Sequence, residues 1–277
     1  MPLVLKLRAA PVVPLEVEGI VPDACQGKSR ADVEQMPVFH GNEKGCLADF
    51  FAVTGDPTSD CHQWQGDLSG VHWVGAKMQR GQIHIEGNVG RHLGSEMSGG
   101  EILVEGDASD WAGGEMRGGL IHVRGKAGHL VGAAYRGSRR GMTGGTLLVQ
   151  GSVGNELGHT MRRGLIAVGG DCGDLVGFNM LAGTILVFGQ CGIRHGAGMK
   201  RGTIGLFSDE RPAMLPSFRY ACRYNPLAFQ LIWRELDHCQ FPVPASIRGQ
   251  ALELFHGDLI EGGRGEILVP TVAQLAS

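Results

Sequence analysis

His84 and His122 occupy the same place in two copies of one short pattern, "MQRGQIHI" and "MRGGLIHV". Imidazoles repeated at a fixed spacing can share a metal ion, zinc above all. Cys172 and Cys191 lie nineteen residues apart in matching contexts, the arrangement of a redox pair. The stretch "GNVGRHLG", Gly87 to Gly94, has the glycine density of a loop that cradles phosphate. Arg136, Arg139 and Arg140 crowd the segment "AAYRGSRRGM", where they could hold a polyanion. Which of these chemistries is real depends on the element that presents the residues.

That element is a repeat. The pattern M-x-x-G-x-[IL]-x-[IVL] recurs seven times, beginning at Met78, Met97, Met116, Met142, Met161, Met180 and Met199. The intervals are 19, 19, 26, 19, 19 and 19 residues, so the single long one is a period plus seven. A second motif, G-x-x-G-x-x-x-G, falls between copies, as in "GSVGNELG" and "GDCGDLVG". This period is too short for helix-pair repeats or propeller blades. It suits one coil of a β-solenoid with one clear strand per coil, and the fold class expected is all-β, about seven 19-residue coils. Side chains alternate along a strand, so two inward columns follow: Ile83, Ile102, Ile121, Leu147, Ile166, Ile185, Ile204, and Ile85, Val104, Val123, Val149, Val168, Val187, Leu206. The methionines form a third. Val89, Ala108, Ala127, Val153, Cys172 and Cys191 form a fourth. The glycines, 46 of 277 residues, then mark corners that need positive φ or close packing between coils.

The repeat changes each chemical reading. Glycines that recur in coil after coil are structural, so the phosphate loop fails. His84 and His122 point outward with Leu103 between them, roughly 9–10 Å apart at two coil spacings; they read as surface or interface histidines. Cys172 and Cys191 sit in a column otherwise filled by Val and Ala, and read as small core residues. No G-x-S-x-G elbow and no P-loop occurs, and "GAGMKRG" lacks the dinucleotide spacing. No catalytic residue and no metal site is therefore expected on this chain. Two surface features remain. The outward middle positions, His84, Leu103, His122, Leu148, Ala167, Leu186 and Gly205, are too apolar for a solvated face. They predict cover by a partner or by the C-terminal segment, with Leu103, Leu148 and Leu186 as the interface candidates. The seven-residue insertion adds Arg136, Arg139 and Arg140 to a ridge of arginines, which is solvated charge unless an acidic partner meets it.

Around the repeat, residues 1–60 read as an N-terminal cap, 61–207 as the solenoid and 208–277 as a C-terminal capping or docking segment. "GKSRADVEQM" predicts a short helix with Ser29 at its N-cap and Asp32 three residues on. Beyond Phe207, "YNPLAFQLIWRELDHC" predicts a helix over 226–238 with Asn225 as N-cap, followed by a final strand near "GEILV". The opening "MPLVLKL" reads as a strand rather than a signal peptide. A net charge of −3 gives no footprint of a nucleic-acid binder. No apolar run is long enough to span a membrane. Seven cysteines, an odd number without C-x-x-C, predict a reduced, cytoplasmic protein.

The combined motif G-x-x-G-x-x-x-G/M-x-x-G-x-I-x-V resembles the GXGXG β-helix domain of glutamate synthase large subunits. It is more similar to the C-subunit of the formylmethanofuran dehydrogenase family. There the β-helix follows a segment like "GKSRADVEQMPVFHGNEKGCLADFFAVTGD" and precedes one like "FHGDLIEGGRGEILV". The resemblance covers Leu15 to Val269 and implies a right-handed parallel β-helix. It implies a scaffold subunit of a formyltransferase/hydrolase complex of one-carbon metabolism, which moves a formyl group from tetrahydromethanopterin to a methanofuran-like coenzyme and releases formate. The partners implied are an amidohydrolase-type subunit, a formyltransferase subunit and a further subunit. No cofactor is implied on this chain; zinc would sit on a partner, or a Mo/W pterin if the complex is a dehydrogenase. The coenzymes of this pathway carry glutamate-rich tails, so the family suggests Arg136, Arg139 and Arg140 as contacts for such a tail or for an acidic partner loop. The 19 arginines against 6 lysines favour the bacterial complex over the Mo/W dehydrogenase. A stand-alone β-helix enzyme acting on polysaccharide would need a carboxylate cluster along a groove, and the repeats carry none.

Overall fold

The computed structural model describes residues 1–271. The chain opens with β1 (Leu3–Leu7), β2 (Leu15–Glu16), α1 (Pro22–Cys25), α2 (Arg30–Glu34), β3 (Pro37–His40), β4 (Glu43–Cys46), α3 (Leu47–Phe50) and β5 (Phe51–Thr54). The cap expected on α2 is present: the Asp32 amide donates to Ser29 Oγ, and the Ser29 amide donates to Asp32 Oδ2. Next come β6 (Cys61–Gln65) and β7 (Val71–His72), then one short strand per repeat: β8 (Gln82–Ile85), β9 (Glu101–Val104), β10 (Leu120–Val123), β11 (Thr146–Val149), β12 (Leu165–Val168), β13 (Thr184–Val187) and β14 (Arg201–Leu206). The chain is mostly β and carries one large sheet.

That sheet has thirteen strands, and its middle is built as the period demands. From β6 through β14 every neighbour is parallel and in register, with Ile83 beside Ile102 beside Ile121. All seven repeat methionines and both inward strand columns are buried. The fourth column is joined by parallel bridges from Leu68 through Val89 to Cys191. Side chains form ladders as well. Asn88 Oδ1 accepts from the Asp107 amide, and Asp107 Oδ1 in turn accepts from the Lys126 amide, one repeat further on. The glycine corners are required where the backbone crosses another coil. Gly119 has φ +87°, and a Cβ there would lie 2.6 Å from the Gly100 carbonyl oxygen. The insertion does not disturb the register: Leu120 pairs Thr146 directly, and the extra residues leave the sheet at the preceding corner.

The ends are closed differently. At the start, β1 lies parallel to β6 and antiparallel to β5, whose Phe51 and Val53 are buried. At the other end, β14 pairs β17 (Arg264–Pro270), the strand expected near "GEILV". β17 continues antiparallel into β16 (Leu252–Gly257) and β15 (Arg219–Tyr224). Between β15 and β16 lies α4 (Phe229–His238). This helix starts three residues later than the sequence predicts. Asn225 does not cap it; its Nδ2 donates to the Gly249 carbonyl at 3.1 Å, and residues 226–228 make a turn into the helix.

Candidate functional site

The outward face of β8 to β14 divides in two. Over its second half, Leu148, Ala167 and Leu186 have no exposed surface. They join one cluster with Phe207, Phe229, Trp233, Leu236 and Phe241. α4 presents Phe229, Trp233 and Leu236 at helical spacing, and Trp233 meets Phe229 edge-on at 5.2 Å between ring centroids. The cover expected for this column thus comes from the chain's own C-terminal segment. Leu148 and Leu186, expected as interface residues, are core beneath α4 and have no surface left to offer a partner.

The first half stays open. A groove of about 430 Å³ is lined there by His84, Leu103, His122, Arg124, Gln150 and Gln240, among others. Leu103 is half-buried between the two histidines, as the register requires. His84 Nε2 lies 3.1 Å from Glu105 Oε1, and Arg124 holds the other carboxylate oxygen at 2.9 Å. Gln150 Nε2 donates to His122 Nε2 at 3.0 Å. Burial, helped by the Arg124 charge, pushes the His122 pKa down and keeps the ring neutral to accept that bond. Each histidine is thus tied to a different partner. Among the described residues, no group of three or more His, Cys, Asp or Glu gathers as a metal would require.

Cys172 and Cys191 are bridged neighbours with free thiols. Burial raises the Cys172 thiol well above its ordinary range, and the hydrogen bond to Cys191 adds to it. A thiol so protonated is a poor nucleophile, which fits a small core residue.

The three arginines of the insertion do not line the groove. Arg136, Arg139 and Arg140 are all exposed, and none pairs with a carboxylate among the described residues. Its root is fixed by a feature that the repeat motif does not mark. Trp73, His92 and Trp111 are spaced at the repeat period and stack at 4.1 and 5.5 Å between ring centroids. All three have positive φ and so form a corner column of their own. Tyr135 packs against the stack, with its hydroxyl 2.6 Å from Ser95 Oγ and 3.1 Å from His92 Nδ1. Its amide donates to Glu115 Oε1. Burial pushes the Tyr135 phenol up to about 12 and His92 down to about 4, so both are neutral at neutral pH. The spacing 73, 92, 111 is the signal of this stack in the sequence.

A family model described as the GXGXG motif matches residues 71–215, more than half of the chain. The chain belongs to the GXGXG family. A crystal structure of the formyltransferase/hydrolase complex from Methylorubrum extorquens, in complex with methylofuran, contains a chain similar to this GXGXG protein. The two are 32% identical with a TM-score of 0.88, over 97% of this chain and 99% of that one. The C-subunit of the tungsten-containing formylmethanofuran dehydrogenase 2 of Methanothermobacter thermautotrophicus is 39% identical over 95 residues, 33% of this chain and 35% of the relative. The C-subunit of the molybdenum-containing formylmethanofuran dehydrogenase 1 of Methanosarcina barkeri is 37% identical over 85 residues, 29% of this chain and 28% of the relative. The match spans about a third of the length of these curated relatives.

Proposed function

We propose that this GXGXG protein is a non-catalytic scaffold subunit of a formyltransferase/hydrolase complex of one-carbon metabolism. The reaction is transfer of a formyl group from tetrahydromethanopterin to a methanofuran-like coenzyme, with release of formate. The chemistry, and any zinc, belongs to amidohydrolase-type, formyltransferase and further partner subunits. The observation that carries the reading is the likeness over almost the full length to a chain of the Methylorubrum complex. In-register parallel strands that bond one repeat to the next support a parallel β-helix over residues 61–207, capped by 1–60 and by 208–277, and the right hand is what the family resemblance implies. No helix among the described residues is long and apolar enough to cross a membrane; the cytoplasmic place is proposed on the free cysteines. A second reading, the C-subunit of a Mo/W formylmethanofuran dehydrogenase, is favoured by the names of the curated relatives.

Leu103, in the open groove, is the interface residue retained. Arg136, Arg139 and Arg140 are the proposed contacts for the glutamate-rich tail of the coenzyme or for an acidic partner loop, since they project from a fixed root and, among the described residues, no carboxylate pairs with their guanidinium groups. Purification of the native complex, followed by metal analysis and a formyltransfer assay, tests the scaffold reading. Zinc with formyltransferase activity is expected. Bound molybdenum or tungsten would move the chain to the dehydrogenase, and a lone active chain would refute both. Replacing the three arginines by alanine should weaken coenzyme binding or assembly; an intact complex with unchanged affinity removes them from the site.

A further inference from the structure

The two ends of the thirteen-stranded sheet differ in a way that packing within the chain does not explain. At one end the edge strand β5 buries Phe51 and Val53. At the other end β15 is last in the sheet and, among the described residues, pairs with β16 alone; all six of its residues are exposed. Tyr220 is 57% exposed and Tyr224 37%. A strand solvated on both faces gains little from burial, and its outer edge presents unpaired amides and carbonyls. The apolar surface continues past the strand: Leu227, in the turn before α4, is 71% exposed, and Leu231, on the side of α4 turned away from the buried cluster, is 69% exposed.

The charge on this edge points to the kind of partner. Arg219 stands opposite His256, and Arg223 opposite Glu253. Glu253 is already held by Arg211 at 2.6 Å. One carboxylate therefore faces two guanidinium groups, and Arg219 faces none. A second copy of the chain pairing edge to edge would double this excess of positive charge. Residues 272–277, Val-Ala-Gln-Leu-Ala-Ser, carry no Asp or Glu to offset it.

We propose that β15 is a docking strand on which an extended acidic segment of another subunit adds to the sheet. Its backbone completes the open edge, its carboxylates meet Arg219 and Arg223, and its apolar side chains lie on Tyr220, Tyr224 and Leu227. The proposal rests on the scaffold reading and assigns it a surface.

Hydrogen exchange of residues 219–224, compared between the isolated chain and the native complex, is the direct test. The expected result is fast exchange in the isolated chain and at least about tenfold slower exchange in the complex. The variant R219E/R223E should weaken recovery of the partner subunits about tenfold or more with only a slight fall in unfolding temperature, since both side chains are exposed and only Glu253 meets a new carboxylate. R219K/R223K should keep most of the binding. Fast exchange of β15 within an intact complex overturns the proposal, as does full assembly of R219E/R223E. Protection in the isolated chain also overturns it, indicating self-association if concentration-dependent and cover by the chain's own terminus if not. A wild-type chain that binds no partner subunit refutes the scaffold reading instead.

Discussion

His62 is a test of how the first coil is held. It lies on β6 in the inward column between Leu3 and Ile83, fully buried, and neither ring nitrogen has a hydrogen-bond partner. Burial pushes its pKa down from 6.5 to about 4. The folded state therefore resists a proton that the unfolded chain accepts readily. Stability from the neutral ring is complete above pH 6.5 and is lost as pH falls toward 4. The drop corresponds to roughly 3 kcal/mol across the whole window, and to about 2 kcal/mol between pH 7.5 and pH 5. Replacing His62 by Ile extends the isoleucine column into β6 and removes both the titration and the unpaired nitrogens. Urea unfolding at pH 7.5 and pH 5 should show wild type losing about 2 kcal/mol more than His62→Ile. His92 also titrates low, but it is present in both proteins and cancels in the difference. Parallel pH profiles for the two proteins would refute the argument that buried His62 carries this dependence.

Other perturbations probe the rest of the molecule. Gly119→Ala places a methyl group against the Gly100 carbonyl at positive φ; thermal unfolding should report a loss of about 1–3 kcal/mol. Trp233→Ala empties the centre of the cluster over Leu148, Ala167 and Leu186, costing about 3–5 kcal/mol locally, and should speed amide exchange in β11 to β13. Tyr135→Phe keeps the aromatic packing but loses the hydroxyl contacts to Ser95 and His92, worth about 1 kcal/mol, so trypsin should cut faster at Arg139 and Arg140. Leu103→Asp should leave the isolated chain folded and reduce its recovery with partner subunits, since Leu103 lines an open groove.

Much of the fold is legible because the repeat states it many times. Seven methionines and two aliphatic columns specify strand, register and interior, and all are buried as expected. The site is harder to read because it depends on contacts that do not repeat. An apolar outward column announces that something covers it. Which element does so depends on α4 reaching back over strands forty or more residues earlier in the chain, which no local pattern encodes. The Trp73, His92 and Trp111 stack did carry the period, but its residue types vary, so a search for like with like passes over it. His62 escaped for a related reason. Its coil precedes the first methionine, and only pairing with Ile83 shows that it shares the isoleucine column. Asn225 has the right type for a helix cap but is drawn off by the Gly249 carbonyl, a tertiary competitor.

The unbroken register from β8 to β14 makes the protein a ruler. Each repeat advances the sheet by one strand spacing, about 4.8 Å, so the six steps span roughly 29 Å. Two partners that gripped different strands would be held at a separation set by counting repeats. Excising a single 19-residue unit would draw them closer by one step and keep every other contact in phase. Lengthening a corner, as the arginine insertion does, changes what the ruler displays at one mark and leaves its graduation untouched.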